Sequence, residues 1–454
     1  MSRIRSTRRR FIRQAVGASA GALAFPYFVP ATSLGGNGRT APSERIVMGC
    51  IGVGGQGVHN MRRFMELGAQ VVAVCDVETS SNLYYGGGTF GREPAREIVE
   101  KFYAEKKAGE YKGCETCKDF RELLKRPDID AVSIATPDHW HGLICVAAAE
   151  AGKDIYCEKP LVNTVAEGRA VCEAVRRNKR VLQTGSHERS GDNSRLACEL
   201  VRNGRIGRLH TIEINLPCSD PHHKDVMSQT GPQPQMPVPE GLDYDFWLGP
   251  VPEAPYTPRR VHFWWRFILA CGGGEMTDRG AHIIDLAQLG NGSDDTGPVT
   301  FQARGTRPAS GIYDTFFNYE FENVYANGVR MIGSSREPRG LKFIGTDGWI
   351  FIHIHGAKLE AEPASLLEEK IDDHELRLGR SPGHHQNFLD CVRSRRQPVA
   401  HAEIGHRTAT ICHLNNIAML TGRKLVWDPA AERITNDPEA DAMLSRPMRP
   451  PWKL

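Results

Sequence analysis

A glycine-rich segment near the start of the chain, Gly52-Val53-Gly54-Gly55-Gln56-Gly57, constrains the fold more than any other feature. It follows the apolar run Ile46–Ile51 and leads directly into a helical pattern. Gly52 permits a tight turn, Gly54 lets the backbone approach a pyrophosphate, and Gly57 permits close packing of the helix on the strand. Although each glycine alone would also suit an ordinary turn, their setting predicts a β–α–β unit that binds a dinucleotide.

The next apolar run, Val71–Cys75, ends in Asp76. Its distance from the glycines is the one expected of a carboxylate that binds the adenosine ribose. Such a carboxylate accepts hydrogen bonds from a 2′-hydroxyl and repels a 2′-phosphate, and Val77-Glu78-Thr79 offers no Arg or Lys to reverse that preference. A helix cap or a solvated strand end is the alternative role for Asp76. We therefore predict a nicotinamide dinucleotide site that favours NAD over NADP.

Residues 1–31 have the pattern of an export signal. Thr7-Arg8-Arg9-Arg10-Phe11-Ile12-Arg13 matches a twin-arginine motif, and the apolar stretch Gln14–Val29 is too short for a good transmembrane span. A basic surface arm is the alternative interpretation. We expect a leader over 1–31, a Gly/Pro/Thr/Ser linker over 32–43, recognition by the twin-arginine export machinery and a periplasmic location.

The charge of the chain depends on this leader. Residues 1–31 hold six arginines and no acid, so the formal charge of +3 becomes about −3 without them. Nothing in the remainder indicates a nucleic-acid partner. Roughly 420 remaining residues favour two domains, each with enough chain for a full core.

The cysteine and histidine patterns do not predict a metal site. Most of the twelve cysteines lie in apolar patterns, where a buried thiol is usual. Cys114 and Cys117 are closely spaced, but no second pair completes a zinc site. His222-His223 and His384-His385 have no Cys or acid at ligand spacing, so we interpret them as surface or loop residues. We expect neither a disulfide framework nor a bound metal.

The chain changes its pattern once. From 44 to 185, strands alternate with helices, which predicts a doubly wound parallel Rossmann sheet in a dinucleotide-binding domain. From 186 to 454, strands recur without helices between them, including one predicted over Tyr313–Phe321. This predicts an α+β domain with a large, mostly antiparallel sheet. Residues 217–258 are predicted to form a long irregular loop, and the Pro/Asp-rich segment after two late helices to form a tail.

Four motifs carry a resemblance to a known family over nearly the whole chain after the leader. They are the glycine segment, Ala135–His141, Glu158-Lys159-Pro160 and Gly272–Asp285. In order and spacing the chain resembles the Gfo/Idh/MocA family, named for glucose–fructose oxidoreductase, inositol dehydrogenase and rhizopine catabolism. The resemblance implies an open-faced second sheet that often mediates homo-oligomers, and hydride transfer at a hydroxyl of a sugar or cyclitol substrate.

The resemblance also implies roles for individual residues. Lys159 matches the family's catalytic lysine, and Asp278 and His282 match its Asp-x-x-x-His pair. A spacing of four places both on one helix face, where the carboxylate can orient the imidazole. We expect His282 as base, Lys159 as the cation that stabilises the developing alkoxide, and Asp278 as orienter. The residues implied to line the cofactor are Thr136, Pro137, His139 and Glu158, and those implied to contact substrate are Arg189 and Asp285.

An ordinary structural role is the alternative for three of these residues. Lys159 would also suit a solvated strand end, His282 a core histidine and Asp285 a salt bridge within the helix. At the level of the whole protein, we expect an oxidoreductase with a tightly held NAD, because a protein exported in folded form would have to carry its dinucleotide with it. The alternatives are a redox-assisted glycosidase, which eliminates the glycosidic bond after transient oxidation, and a non-catalytic sugar-binding relative.

Overall fold

The structure, a computed structural model, describes residues 45–107, 112–355 and 358–454. The predicted leader over 1–31 and linker over 32–43 lie outside these residues. Residues Ile46–Leu454 form one compact unit. Over the described residues, no helix has the length and apolar character needed to cross a bilayer.

The first part of the chain forms a parallel sheet with helices between its strands. In chain order its elements are β1 (Val47–Ile51), α1 (Gly55–Glu66), β2 (Gln70–Cys75), α2 (Arg92–Lys107), β3 (Glu115–Cys117), α3 (Phe120–Leu124), β4 (Ala131–Ile134), α4 (Asp138–Glu150), β5 (Asp154–Cys157), α5 (Val165–Arg177) and β6 (Leu182–Thr184). The strands lie in the order β3-β2-β1-β4-β5-β6, and all neighbours are parallel. The winding reverses between β1 and β4, which opens a crevice at their carboxyl ends. The predicted doubly wound sheet is confirmed.

The second part forms a nine-stranded sheet and its covering helices. Its elements are α6 (Asp192–Arg202), β7 (Leu209–Asn215), α7 (Pro221–Ser228), α8 (Tyr244–Leu248), α9 (Arg279–Asn291), β8 (Pro298–Thr306), β9 (Phe317–Tyr325), β10 (Arg330–Ser334), β11 (Gly340–Gly345), β12 (Trp349–His353), β13 (Leu359–Glu362), α10 (His384–Ser394), α11 (Ala402–Thr421), β14 (Leu425–Asp428), β15 (Arg433–Ile434) and α12 (Pro438–Ala442). The strand order is β13-β12-β11-β7-β10-β9-β8-β14-β15, and only β7 and β10 pair in parallel among these strands. The mostly antiparallel sheet is confirmed.

One face of this second sheet is apolar and the other polar. In β9, Phe317, Tyr319 and Phe321 are buried, whereas Asn318 and Glu320 between them are exposed. This alternation is what a strand with one covered face requires. The buried side packs against helices α6, α9 and α11, and their apolar residues form one continuous core. Helix α9 is therefore held in this core, and Asp278 directly precedes its first residue.

Three local predictions were wrong. The strand predicted over Tyr313–Phe321 is Phe317–Tyr325, because alternation of core-facing residues, rather than aromatic content, sets its limits. The segment 217–258 contains helices α7 and α8 in addition to loop. The tail contributes β14, β15 and helix α12, of which β14 extends the second sheet beside β8.

Candidate active site

The turn after β1 has the shape that a dinucleotide requires. Gly52 has a φ of +78°, and a Cβ there would lie 2.7 Å from the carbonyl carbon of Ala135. A Cβ on Gly57 would lie 1.9 Å from the carbonyl oxygen of Gly52. Side chains at either position would collide with backbone, so both glycines are required by the close packing of turn, helix and strand.

The second glycine of this turn, Gly54, faces an aromatic ring. A Cβ on Gly54 would lie 2.8 Å from Cε1 of Tyr84. Tyr84 belongs to the loop between β2 and α2, and its ring centroid lies 4.2 Å from that of His262. The predicted approach of a pyrophosphate to Gly54 therefore involves a surface that Tyr84 partly covers. The sequence gives no local signal for this contact, because Gly54 and Tyr84 are thirty residues apart.

Asp76 lies at the carboxyl end of β2 and is tied to the turn. Its Oδ2 accepts the N–H of Val53 at 2.7 Å, and its Oδ1 accepts the N–H of Glu78 at 2.9 Å. Burial raises the pKa of Asp76, while these donors and Arg92 oppose that rise. Burial and the charge of Asp76 also raise the pKa of Glu78 to about 7.

A cation lies closer to Asp76 than the sequence indicated. Arg92, the first residue of α2, donates from Nη1 to the carbonyl oxygen of Asp76 at 3.1 Å and from Nη2 to Oγ1 of Thr79 at 2.6 Å. The local sequence Val77-Glu78-Thr79 contains no basic residue. Arg92 follows the loop between β2 and α2 in the chain, but in the fold it lies beside the end of β2. The region around Asp76 therefore contains both signs of charge.

The crevice continues into a cavity of about 460 Å³. Eight of the predicted site residues line it: Gly52, Gly54, Asp76, Thr136, Pro137, Glu158, Lys159 and Asp278. Aromatic and cationic residues from both parts of the chain complete the wall: Tyr84, Tyr85, Trp140, His262, Phe263, Trp265 and Arg266. The cavity thus joins the glycine turn to the Lys159 motif, and most of the aromatic wall had no signal in the sequence.

Lys159 and Asp278 form an ion pair inside this cavity. The Lys159 ammonium donates to the Asp278 carboxylate and to the Asp278 carbonyl oxygen, the latter at 3.2 Å. The two residues follow β5 and precede α9, respectively. Burial would raise the pKa of Asp278, but Lys159 and Arg266 outweigh burial and hold that pKa well below its ordinary value. The carboxylate is therefore charged and committed to Lys159.

His282 lies one turn along α9 from Asp278 and is buried. The prediction that Asp278 orients His282 is not supported by this geometry. Among the described residues, Nδ1 of His282 has no hydrogen-bond partner, because Asp278 turns toward the oppositely charged Lys159. Burial, followed by the charge of Lys159, lowers the pKa of His282 well below its ordinary value.

Glu158 has partners that the sequence did not reveal. Its Oε1 accepts from Nδ2 of Asn60 at 2.8 Å and from Nε2 of Gln56 at 3.2 Å, and its Oε2 accepts the N–H of Lys159 at 3.3 Å. Burial would raise the pKa of Glu158, but His187 and Asn60 hold it below the ordinary value. This carboxylate connects helix α1 to the end of β5 and so fixes the position of Lys159.

Thr136 and Pro137 line the cavity as predicted, but His139 does not reach it. His139 is buried, and its Nε2–H donates to the carbonyl oxygen of Trp247 at 3.0 Å. His141 lines the cavity instead, with ring nitrogens 2.8 and 2.9 Å from the carbonyl oxygens of Pro160 and Thr136. Residues 139 and 141 point differently because α4 begins at Asp138 and rotates each residue about a hundred degrees further.

Arg189 and Asp285, predicted to contact substrate, pair with each other. Nε of Arg189 donates to Oδ2 of Asp285 at 2.7 Å, and its Nη2 donates to Oδ1 of Asp294 at 2.6 Å. The side chains of Arg189 and Asp285 are 3 % and 0 % exposed. Since Oδ1 of Asp285 accepts from Thr408, the carboxylate is fully used within the protein. This ion pair joins separate elements, so it differs from the salt bridge within the helix, and contact of either residue with substrate stays a prediction.

The two histidine pairs are buried helix residues rather than surface or loop residues. His384 and His385 open α10, and Nε2 of His384 donates to the carbonyl oxygen of Thr184 at 2.8 Å. In α7, Nε2 of His223 lies 2.7 Å from Oε1 of Glu275. The interpretation failed because a two-residue pattern does not show which helix face the fold covers.

The prediction that no acid stands near His222 and His223 was also wrong. Ligand atoms of Asp220, His222 and His223 lie within 4.8 Å of one another, and Glu275 adjoins both rings. Asp220 is already paired with Arg279, whose Nη1 lies 2.5 Å from its carboxylate. The Arg279 guanidinium thus pairs with the Asp220 carboxylate. The expectation that no metal is bound stays a prediction.

Models of one protein family match most of the chain. The Gfo/Idh/MocA model described as the NAD-binding Rossmann fold of an oxidoreductase family matches residues 46–186. The model described as the C-terminal alpha/beta domain of that family matches residues 198–454.

Similar proteins include sugar and cyclitol enzymes. The chain is 43% identical over 91 residues to levoglucosan dehydrogenase of Pseudarthrobacter phenanthrenivorans, which is 20% of this chain and 23% of that protein. It is 33% identical over 119 residues to myo-inositol 2-dehydrogenase of Thermotoga maritima, covering 26% and 33%. It is 30% identical over 176 residues to α-N-acetylgalactosaminidase of Shewanella oneidensis, covering 38% and 35%. Each match spans about a third or less of the relative's length.

Solved structures share the fold. Aldose-aldose oxidoreductase from Caulobacter crescentus, complexed with glycerol, superposes with a TM-score of 0.58 at 19% identity, covering 84% of this chain and 99% of that chain. Levoglucosan dehydrogenase in complex with NADH and levoglucosan superposes with a TM-score of 0.57 at 20% identity, with the same coverage.

Proposed function

Because the chain belongs to the Gfo/Idh/MocA oxidoreductase family, we propose that it transfers hydride between NAD and a hydroxyl or keto carbon of a sugar or cyclitol. The observation that carries this proposal is one cavity lined by the glycine turn, Asp76, Lys159 and Asp278. The turn fits a dinucleotide because the helix after it packs closely on the turn. A Cβ on Gly57 would collide with the Gly52 carbonyl oxygen and prevent that packing. Relatives that act on levoglucosan and myo-inositol support the substrate class.

Lys159 and Asp278 in the wall of the cavity, and His282 buried one helical turn beyond Asp278 and not among the lining residues, have complementary tasks in this reaction. Bound NAD supplies the hydride acceptor. Lys159 places an ammonium, held by Asp278, where it stabilises negative charge on the reacting oxygen. His282 accepts the hydroxyl proton, and its neutral form, which burial favours, is the form able to do so. Asp278 acts on Lys159 rather than on His282 in this scheme.

We assign the cofactor as NAD rather than NADP. Asp76 lies where it can accept a hydrogen bond from a ribose 2′-hydroxyl, and its charge disfavours a 2′-phosphate. Arg92 is engaged with the backbone of Asp76 and with Thr79, so its charge is partly satisfied there. Titration of the protein with each dinucleotide tests the assignment, and preferential binding of NADP would reverse it.

A resident cofactor and export belong to the same proposal. The twin-arginine pattern at Arg8 and Arg9 supports delivery of a folded protein to the periplasm with its dinucleotide already bound. Replacing both arginines with lysine should leave the protein in the cytoplasm, and unchanged delivery would reject this route. Self-association through the second sheet is proposed because the family resemblance implies it, and light scattering of the purified protein measures it.

The experiment that tests the proposed function is mass spectrometry of small molecules released from the purified protein by denaturation. We expect NAD or NADH at close to one equivalent. Protein that carries no dinucleotide, and binds none when NAD is added, would contradict the proposal.

One of the similar proteins favours a second candidate function. Similarity to α-N-acetylgalactosaminidase of Shewanella oneidensis favours a redox-assisted glycosidase, in which transient oxidation acidifies a neighbouring C–H and permits elimination. Release of aglycone from an aryl glycoside that depends on bound NAD would favour this candidate over simple oxidation. Release that continues after the dinucleotide is removed would exclude it.

A further inference from the structure

His282 is in ring contact with a second histidine that no motif includes. The ring of His355 meets that of His282 edge-on, with centroids 5.2 Å apart and an interplanar angle of 82°. His355 follows β12 on the second sheet, more than seventy residues further along the chain. Among the described residues Nδ1 of His282 has no hydrogen-bond partner, so proton transfer between the two rings requires a ring rotation or one bridging water.

A carboxylate holds His355 in place. Oε1 of Glu188 lies 3.3 Å from Nδ1 of His355 and also accepts the backbone N–H of His355 at 3.3 Å. Glu188 belongs to the short 3₁₀ helix His187–Ser190, and its side chain is only 15 % exposed. This double contact fixes both the backbone and the ring of His355.

The backbone of His355 adopts a conformation that non-glycine residues rarely use. Its φ is +64°, in the left-handed region, which costs energy for a residue with a Cβ. The side chain is 45 % exposed, whereas His282 is 7 % exposed. His355 therefore contacts the buried histidine while part of its own side chain stays open to solvent.

A proton taken by His282 has no stable place on that ring. Burial, followed by the positive charge of Lys159, disfavours the imidazolium and lowers its pKa, and His355 and His187 act in the same direction. Asp278 acts in the opposite direction but is committed to Lys159. His355 instead meets solvent and the Glu188 carboxylate, so a proton that reaches its ring can pass to water.

We propose that His355, positioned by Glu188, receives the substrate proton from His282 and passes it to solvent. The inference rests on the proposed function. Bound NAD would accept the hydride and its electron pair from the carbinol carbon, and one nitrogen of His282 takes the hydroxyl proton. A proton leaves the other nitrogen for His355, and His355 returns to its neutral form by releasing a proton to water. Reduction of a keto sugar runs through the same groups in reverse.

The test compares steady-state oxidation by full-length variants with NAD supplied in excess as the oxidant. The substrate is the sugar that wild-type protein oxidises fastest in a panel of aldohexoses and myo-inositol. For His355→Ala we expect kcat to fall roughly 10- to 100-fold with little change in KM, and added imidazole to restore the rate in proportion to its concentration. Glu188→Gln should lower kcat less and respond more weakly to imidazole, because the ring is still present.

His353 provides a matched control. It lies two residues earlier on β12, and its Nε2 is 3.0 Å from Oε1 of Glu360, so it is also a histidine–carboxylate pair. His353→Ala should oxidise the sugar at nearly the wild-type rate. The relay is overturned if His355→Ala keeps the wild-type rate, or if its loss is not restored by imidazole although NAD binding and folding are intact. A wild-type protein that oxidises no member of the panel overturns the proposed function itself, and the relay with it.

Discussion

At one end of the cleft the backbone makes the binding surface, whereas at the other end charged side chains make it. The turn of Gly52 and Gly57 leaves no room for a Cβ, and its shape is set by sterics between neighbouring segments. Around Lys159 and Asp278, the arrangement is set by which charges meet. The first end is rigid and specific for a shape, and the second depends on a balance of charge and burial. Substitutions at the glycine turn should therefore affect NAD binding, whereas substitutions around Lys159 should affect turnover.

Loss of Lys159 or His282 should have the largest effect, and on turnover alone. Lys159→Ala and His282→Ala should each lower kcat by about 10²–10⁴-fold, the usual contribution of a positioned acid–base group. NAD affinity should stay close to that of the wild type, as measured by fluorescence titration. His210→Ala, an exposed histidine on β7, is the control. Near-normal rates for both variants would place the chemistry elsewhere.

Loss of space at the turn should affect binding and stability instead. A methyl group on Gly57 would meet the Gly52 carbonyl oxygen at 1.9 Å, so Gly57→Ala should destabilise the protein by about 1–3 kcal/mol and weaken NAD binding. Gly55→Ala is the matched control, because its Cβ would meet its nearest neighbour, Phe90, at 3.9 Å. Thermal unfolding and NAD titration measure both effects. Equal behaviour of the two variants would mean that the turn is not sterically limited.

Buried neutral histidines near the cleft should make the fold sensitive to acid. Burial lowers the pKa of His139 to about 4, against an ordinary value of about 6.5. Between these values the unfolded chain binds a proton that the folded chain does not, so the stabilisation is complete above pH 6.5 and is lost as pH falls. At pH 5 the loss is about 2 kcal/mol. In urea unfolding at pH 7 and pH 5, His139→Gln should reduce the difference by about that amount, and an unchanged difference would contradict the assignment.

Asp278 should show the smallest effect, and its partner should be Lys159. Asp278→Asn should lower kcat by about tenfold, because the carboxylate fixes the ammonium without reacting itself. Adding this change to Lys159→Ala should cost little more, whereas adding it to His282→Ala should cost nearly its full effect. A double-mutant cycle of kcat measures the coupling. Stronger coupling to His282 would restore the role predicted from the sequence.

The same division explains what the sequence could predict. The glycine turn, the alternation of strands and helices and the change to a mostly antiparallel sheet follow from local sterics and periodicity, and the sequence contains them directly. The pairing of Arg189 with Asp285 joins residues ninety-six apart, and that of Lys159 with Asp278 joins residues one hundred and nineteen apart. A spacing of four between Asp278 and His282 shows that they can meet, but not that a distant lysine competes for the carboxylate.

The measurement that tests the central claim most directly is the absorbance of purified protein on addition of sugar, with no cofactor supplied. If the cleft holds NAD and transfers hydride to it, absorbance in the reduced nicotinamide band should rise in proportion to the protein, and the rise should be about 10²–10⁴-fold slower in His282→Ala. A protein that shows no such band with any sugar of the panel, even after NAD is supplied, would contradict the account.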